Sequence, residues 1–144
     1  MLDVDYFKNF NDAHGHDIGD QVLRLVSTRL AQVEGGGMAY RYGGEEFCIL
    51  FPELRLAEAL PHVEKIRADI AAYQMAVRRK DRPKNPEAGT RLRHLRSPDK
   101  MLSVTVSIGV AGTDEQRSTP AEVLRAADQA LYRAKEAGRN RVSP

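Results

Sequence analysis

The spacing of apolar residues along the 144-residue chain changes several times, and each change marks an element. Met1-Leu2 reads as the end of a strand, because an acidic turn, Asp3-Val4-Asp5, follows at once. Residues 5 to 13 suit a short polar helix or turn broken at Gly15. From Asp17 to Val33, apolar residues at 18, 22, 25, 26, 30 and 33 make a helical stripe, which glycines 35 to 37 end. Residues 38 to 51 read as a hairpin turning at Gly43-Gly44, with Phe47 to Phe51 as a buried strand. Apolar positions 60, 63, 66, 70, 73 and 77 predict a long helix from Leu56 to Val77. "MLSVTVSIGVA", residues 101 to 111, alternates as one strand, with Leu102, Val104, Val106 and Ile108 facing one way. Thr119-Pro120-Ala121-Glu122 is a capping box with proline at the first helical position, opening a helix that Gly138 stops. Arg141-Val142 starts a last strand.

This order predicts an α+β fold of two layers, a mostly antiparallel sheet flanked by helices. Length allows one domain over residues 1–144. The abrupt start inside strand one predicts a domain cut at its N-terminus from something longer.

Composition narrows the function classes. With 42% apolar and 29% charged residues the chain is an ordinary globular mixture. No apolar run approaches the roughly 18 residues of a membrane span, and no signal-peptide pattern opens the chain. The net charge of +2 is unevenly distributed: residues 78 to 100 carry nine Lys or Arg against three acids, leaving −4 on the remainder. A basic pI is therefore no argument for nucleic-acid binding, and this segment reads as an exposed loop or extended hairpin. The single cysteine, Cys48, excludes an internal disulfide, reads as a small buried hydrophobe, and fits a reducing cytosol. A cytoplasmic domain with no membrane contact of its own is expected, in a parent that an anchor elsewhere can tether.

Three groups of residues carry chemistry. Asp3 and Asp5 sit where strand one ends, and Glu45 and Glu46 at the mouth of the hairpin. If strand one lies beside the hairpin, Asp3 converges with Glu45 or Glu46, and a divalent cation would relieve their repulsion. Oxygen ligands without Cys or paired His suit Mg²⁺ or Mn²⁺; separate solvated turn acids are the alternative. Second, within "FKNFNDAHGHDIGD", Asn11 and Asp20 offer the donor and acceptors that complement a guanine edge, although both residues also serve as caps and turn formers. His14 and His16 flank a glycine and read as turn residues. Third, Lys135 and Arg139 lie four apart at the end of the last helix, where cations complement its dipole and would also suit phosphate.

"DVDYFKNFNDAHGHDIGD", "RYGGEEF", "VTVSIGVA" and "ADQALYRAKEAGRN" together resemble, in order and spacing, the four signature segments of GGDEF domains. The resemblance covers residues 1 to 143 and implies a fold like the palm of polymerases and nucleotide cyclases, with a ferredoxin-like core. It implies a diguanylate cyclase, joining two GTP into cyclic di-GMP with release of two pyrophosphates, with two Mg²⁺ or Mn²⁺ ions in each half-site of a homodimer. By motif position Asp3, Glu45 and the Val4 carbonyl would hold metal. Glu46 would be a further ligand or help deprotonate the attacking 3′-hydroxyl. Asn11 and Asp20 would read guanine, Phe7 and Lys8 would lie by the triphosphate, and Lys135 and Arg139 would hold phosphates. Gly43 and Gly44 would leave room where nucleotide approaches. The resemblance also implies an attached sensory or regulatory domain. A non-catalytic module binding GTP or cyclic di-GMP is the rival reading, and a cyclase making a single-nucleotide product a weaker one. Many such cyclases carry an RxxD product-binding motif before the hairpin. Glu34, Gly35, Gly36 and Gly37 stand there instead, so no product inhibition through that site is expected.

Overall fold

A computed structural model describes residues 1–77, 100–115 and 117–144. In chain order the elements are β1 (Leu2–Val4), α1 (Phe7–His14), α2 (His16–Leu30), β2 (Met38–Gly43), β3 (Glu46–Leu50), α3 (Leu56–Ala72), β4 (Met75–Val77), β5 (Lys100–Leu102), β6 (Val106–Gly109), α4 (Pro120–Glu136) and β7 (Val142–Ser143). They fall into two compact units, residues 73–103 and all the rest.

The larger unit is built on a five-stranded sheet in the order β2-β3-β1-β6-β7. Every pairing in it is antiparallel except that of β6 with β7. The expected α+β architecture is present, with the first strand at the centre. Leu2 and Val4, both buried, seat β1 between the hairpin and β6. Of the apolar positions whose spacing predicts α2 and α3, Val22, Val26 and Leu30 are buried on α2 and Val63, Ile66 and Ile70 on α3, with Leu23 and Ala59 buried beside them, while α4 buries Ala127, Ala130, Leu131 and Ala134. The alanines let α4 lie close, and Gly109 completes the fit. A Cβ there would stand 2.1 Å from both the Ala127 carbonyl oxygen and the Leu131 nitrogen, so only glycine admits this approach.

The capping box forms as expected. The Thr119 hydroxyl accepts from the Glu122 amide, and a Glu122 carboxylate oxygen accepts from the Thr119 amide at 2.9 Å. Thr119→Ala should cost about 1 kcal/mol, read as a lower denaturant midpoint at unchanged slope.

Three expectations need correction. The helix from Leu56 stops at Ala72 rather than Val77. Residues 73 and 77 continue the period, but Met75–Val77 pairs antiparallel with Lys100–Leu102 to form the sheet of the smaller unit. Strand pairing across the basic segment outweighs local periodicity there. For the same reason residues 101 to 111 are not one strand: Lys100–Leu102 belongs to that pairing and Val106–Gly109 to the large sheet. Finally, β3 is buried only at Phe47; Cys48 and Ile49 are half-buried and Leu50 is exposed, because β2 beside it is an uncovered edge strand. Cys48 packs on Met1, Ala127 and Leu131 as a small hydrophobe. Most of the basic segment lies outside the described residues.

Candidate active site

The acidic residues meet at the end of β1 nearest the hairpin turn. Register places Asp3 opposite Glu46 on one side and Ser107 on the other. The Val4 amide donates to the Glu45 carbonyl at 3.3 Å, tying the strand end to the turn. Asp3 is buried, 8% exposed, and Lys135 of α4 donates to its Oδ2 at 2.9 Å. Burial pushes the Asp3 carboxyl above the ordinary carboxylate range. The Lys135 ammonium opposes that shift, while the charges of Glu45 and Glu46 reinforce it. The three carboxylates are thus close enough to feel one another.

Hard oxygen donors close to one another, one of them already holding a cation, match a divalent metal in charge and type. Their side chains are not gathered as ligands: among the described residues no three of His, Cys, Asp and Glu are placed to share an ion. The ammonium of Lys135 stands on Asp3 instead. Asp5, which the sequence puts in the same acidic group, belongs elsewhere. It is 5% exposed, and its oxygens accept from the Thr105 hydroxyl at 2.7 Å, the Ser107 hydroxyl at 2.7 Å and the Asn140 amide at 3.1 Å.

The hairpin turn is open. No atom lies within 4 Å of where a Cβ would stand on Gly43 or Gly44, and Gly44 has φ +45°. Arg41 secures this turn by donating from Nε and Nη2 to the Gly44 carbonyl, at 3.1 and 2.7 Å.

The second group is assembled by α1 and α2. Phe7 and Asn11 are one turn apart on α1, and Phe7 is buried. Their face lies on Gly19, where a Cβ would stand 1.8 Å from Asn11 Oδ1 and 3.3 Å from Phe7 Cζ. Asn11 Oδ1 is buried without a hydrogen-bond partner. A buried amide oxygen left unmatched costs free energy that a ligand can recover. Asp20, the residue after Gly19, is exposed, and so is Lys8 in the first turn of α1. That turn has no side-chain cap, because Tyr6 at its N-cap position makes no such bond. Free amides at a helix N-terminus suit an anion. His14 stacks edge-on against Phe10 at 4.7 Å between ring centroids, consistent with a packing role.

The third group divides. Lys135 is on α4, but the helix ends at Glu136, and Arg139 lies beyond it with φ +62°. The two cations therefore do not share a helix face. Arg139 rests on Tyr6, its guanidinium carbon 4.4 Å from the ring centroid and its Nη1 donating to the hydroxyl at 3.3 Å. Sequence reasoning missed Asp5 as a clamp, Gly19 as a packing site, and Tyr6, Asn140 and Arg67, whose Nη1 donates to Asn140 Oδ1 at 2.6 Å, altogether. Only the polar Thr105 and Ser107 within a strand gave a hint.

The family model described as diguanylate cyclase, GGDEF domain, matches residues 1–141. The response regulator PleD of Caulobacter vibrioides is 41% identical over 143 residues, 99% of this chain and 28% of that protein. The diguanylate cyclase VdcA of Vibrio cholerae is 39% identical over 145 residues, 100% of this chain and 38% of that protein. The chain thus spans well under half the length of these relatives. Among solved structures, the GGDEF domain of DgcB from Caulobacter crescentus in complex with c-di-GMP superposes with TM-score 0.80 at 34% identity, covering 99% of this chain and 71% of that one. The active GGEEF domain of a diguanylate cyclase from Vibrio cholerae gives 0.75 at 29% identity, with 99% and 78% covered. A family match over nearly every residue, agreeing with the fold and with the acidic edge between β1 and β3, makes this chain a member of the GGDEF-domain family of diguanylate cyclases.

Proposed function

We propose that this domain condenses two molecules of GTP into cyclic di-GMP, releasing two pyrophosphates, as a homodimer of half-sites within a signalling protein that carries a sensory or regulatory domain. The observation that carries this reading is the buried Asp3 facing Glu46 across the β1–β3 pairing, with Lys135 on its carboxylate. In each half-site the 3′-oxygen of one GTP forms a bond to the α-phosphorus of the other, and the bond to the pyrophosphate leaving group breaks. One subunit supplies a nucleotide and its partner the other, so the two half-sites must face each other.

Members of the family work with a divalent cation, and the donors here fit one. Asp3, Glu45, Glu46 and the Val4 carbonyl would hold it, as two Mg²⁺ or Mn²⁺ ions per half-site. Bound there, the ions would acidify the 3′-hydroxyl and stabilise charge on the reacting phosphates. The remaining residues bind and orient. Asn11 and Asp20 accept and donate along the guanine edge, the unmatched Asn11 Oδ1 gaining a partner. Lys8, the Phe7 turn and the uncapped amides of α1 lie by the triphosphate. Lys135 and Arg139 neutralise phosphate oxygens, Lys135 leaving Asp3 to do so. Gly43 and Gly44 leave the hairpin open to the nucleotide. Glu46 supplies a further ligand or takes the 3′-hydroxyl proton.

The ion pair of Asp3 with Lys135 is the one observation that favours the rival, a module that binds nucleotide without turnover. Product identity separates the two: incubated with GTP and Mg²⁺, a cyclase yields cyclic di-GMP, and a binding module returns GTP.

Product control is expected to be absent before the hairpin. Where an RxxD motif would offer a cation, Glu34 stands, pairing with Lys65 at 2.5 Å. Added cyclic di-GMP should cause no slowing that depends on residues 34 to 37. Slowing that Glu34→Gln leaves intact would place an inhibitory site elsewhere.

A further inference from the structure

Among the described residues, only Tyr6, Arg139 and Asn140 have positive φ without being glycine, at +54°, +62° and +46°. All three meet in one place. Two consecutive residues of the β1–α1 turn, Asp5 and Tyr6, hold two consecutive residues after α4, Arg139 and Asn140. The Asp5 carboxylate, anchored by the hydroxyls of Thr105 and Ser107, accepts from the Asn140 amide. From α3, Arg67 Nη1 donates to Asn140 Oδ1 at 2.6 Å, while its Nε and Nη2 are occupied by Glu64. Left-handed backbone is costly for residues with a side chain, and it persists where surrounding bonds over-determine it. A buried carboxylate with three protein donors and a guanidinium aimed at the adjacent side-chain carbonyl do that here.

We infer that Asp5 is a positioning residue for Arg139, acting through the left-handed turn at Arg139-Asn140, with Arg67 bracing the same turn from α3. Tyr6 is the rest on which the Arg139 guanidinium waits. The inference deepens the cyclase reading and rests on it for the identity of the anion, a nucleoside triphosphate. It differs from that reading in assigning Asp5 no contact with nucleotide or metal. Without the clasp, Arg139 keeps its charge but is no longer held at one point, so phosphate binding weakens while the fold around β1 and β3 remains.

The test uses the full-length protein and 3′-deoxy-GTP, which binds as GTP does but lacks the attacking hydroxyl. Its affinity is measured by calorimetry for the wild type, Asp5→Ala, Asp5→Asn, Arg139→Ala and the Asp5→Ala/Arg139→Ala double variant. Asp5→Ala should weaken binding about tenfold, as Arg139→Ala does, and the double variant should be no weaker than either. Asp5→Asn, whose amide oxygen can still accept from the Asn140 amide, should restore most of the affinity, which a merely structural need for the charge would not allow. Because Asp5→Ala leaves buried donors unmatched, the exposed Asn140 gives a second comparison that keeps the fold. Asn140→Gly tolerates the left-handed backbone and Asn140→Ala does not, so Ala should bind the probe more weakly than Gly. Additive losses in the double variant, or equal binding by the two Asn140 variants, would overturn the inference. Probe binding by a wild type that makes no cyclic di-GMP would sink the cyclase reading and leave this test standing; no probe binding at all would overturn both.

Discussion

Asp3→Asn is expected to lower cyclic di-GMP formation by about a thousandfold or more while leaving the fold at least as stable as the wild type. The two effects have one cause. Burial raises the Asp3 carboxyl above its ordinary value of 3.8, against the pull of Lys135 and with help from Glu45 and Glu46. A raised folded-state pKa means that the folded protein binds this proton more tightly than the unfolded chain does. The resulting contribution to stability is complete below pH 3.8 and is lost as pH rises through the folded value. Above the folded value, where Asp3 is ionised, its charge is therefore a cost to the fold. Asparagine keeps the shape and removes the charge, and Lys135, partly exposed, can turn to water. Thermal melts at pH 7 should show a midpoint no lower than that of the wild type, with that advantage shrinking as pH falls toward 4. A clear loss of stability at neutral pH would mean that the Asp3–Lys135 pair stabilises the fold.

Gly19→Ala is the second large effect. In an exposed helix this change would stabilise by up to about 1 kcal/mol. Here the added methyl would stand 1.8 Å from Asn11 Oδ1 and 2.9 Å from its Cγ, so Asn11 must leave its place or α1 must lift from α2. Either way the proposed guanine contact is lost. GTP affinity should fall about ten- to a hundredfold, with overpacking costing roughly 1–3 kcal/mol of stability. The Asn11→Ala/Gly19→Ala double variant removes the obstructing amide. It should recover stability relative to Gly19→Ala without recovering affinity, a non-additivity that identifies the contact. If Gly19→Ala binds GTP normally, the assignment of Asn11 falls.

Much of the architecture was legible because its signals are local. The stripe of α2, the Thr119 capping box and the Gly43-Gly44 turn follow from periodicity and capping chemistry, and the structure has each of them. What failed was non-local. Nothing near Tyr73 announces that Met75–Val77 pairs with Lys100–Leu102, since the partner begins only at the far end of the basic segment. The site was legible as residue types and only partly as geometry. Asp3 does meet the hairpin, as an adjacent strand one requires, and Asn11 lies against Gly19, next in sequence to Asp20. Spacing groups Asp5 with Asp3 at the end of strand one, and only the bonds to Thr105, Ser107 and Asn140 show it to be a clamp. Lys135 and Arg139 look like a helical pair by number, until the helix ends between them.

On the proposed function, the acidic edge between β1 and β3 catalyses dinucleotide formation. This is tested most directly by supplying the full-length protein with GTP and Mg²⁺ and counting both products, beside a Glu46→Ala variant shown by its melt to be folded. The wild type should form cyclic di-GMP with two pyrophosphates for each molecule, and Glu46→Ala no product above background. A folded, dimeric wild type that forms no cyclic di-GMP, or a Glu46→Ala variant that forms it at the wild-type rate, would contradict the proposal.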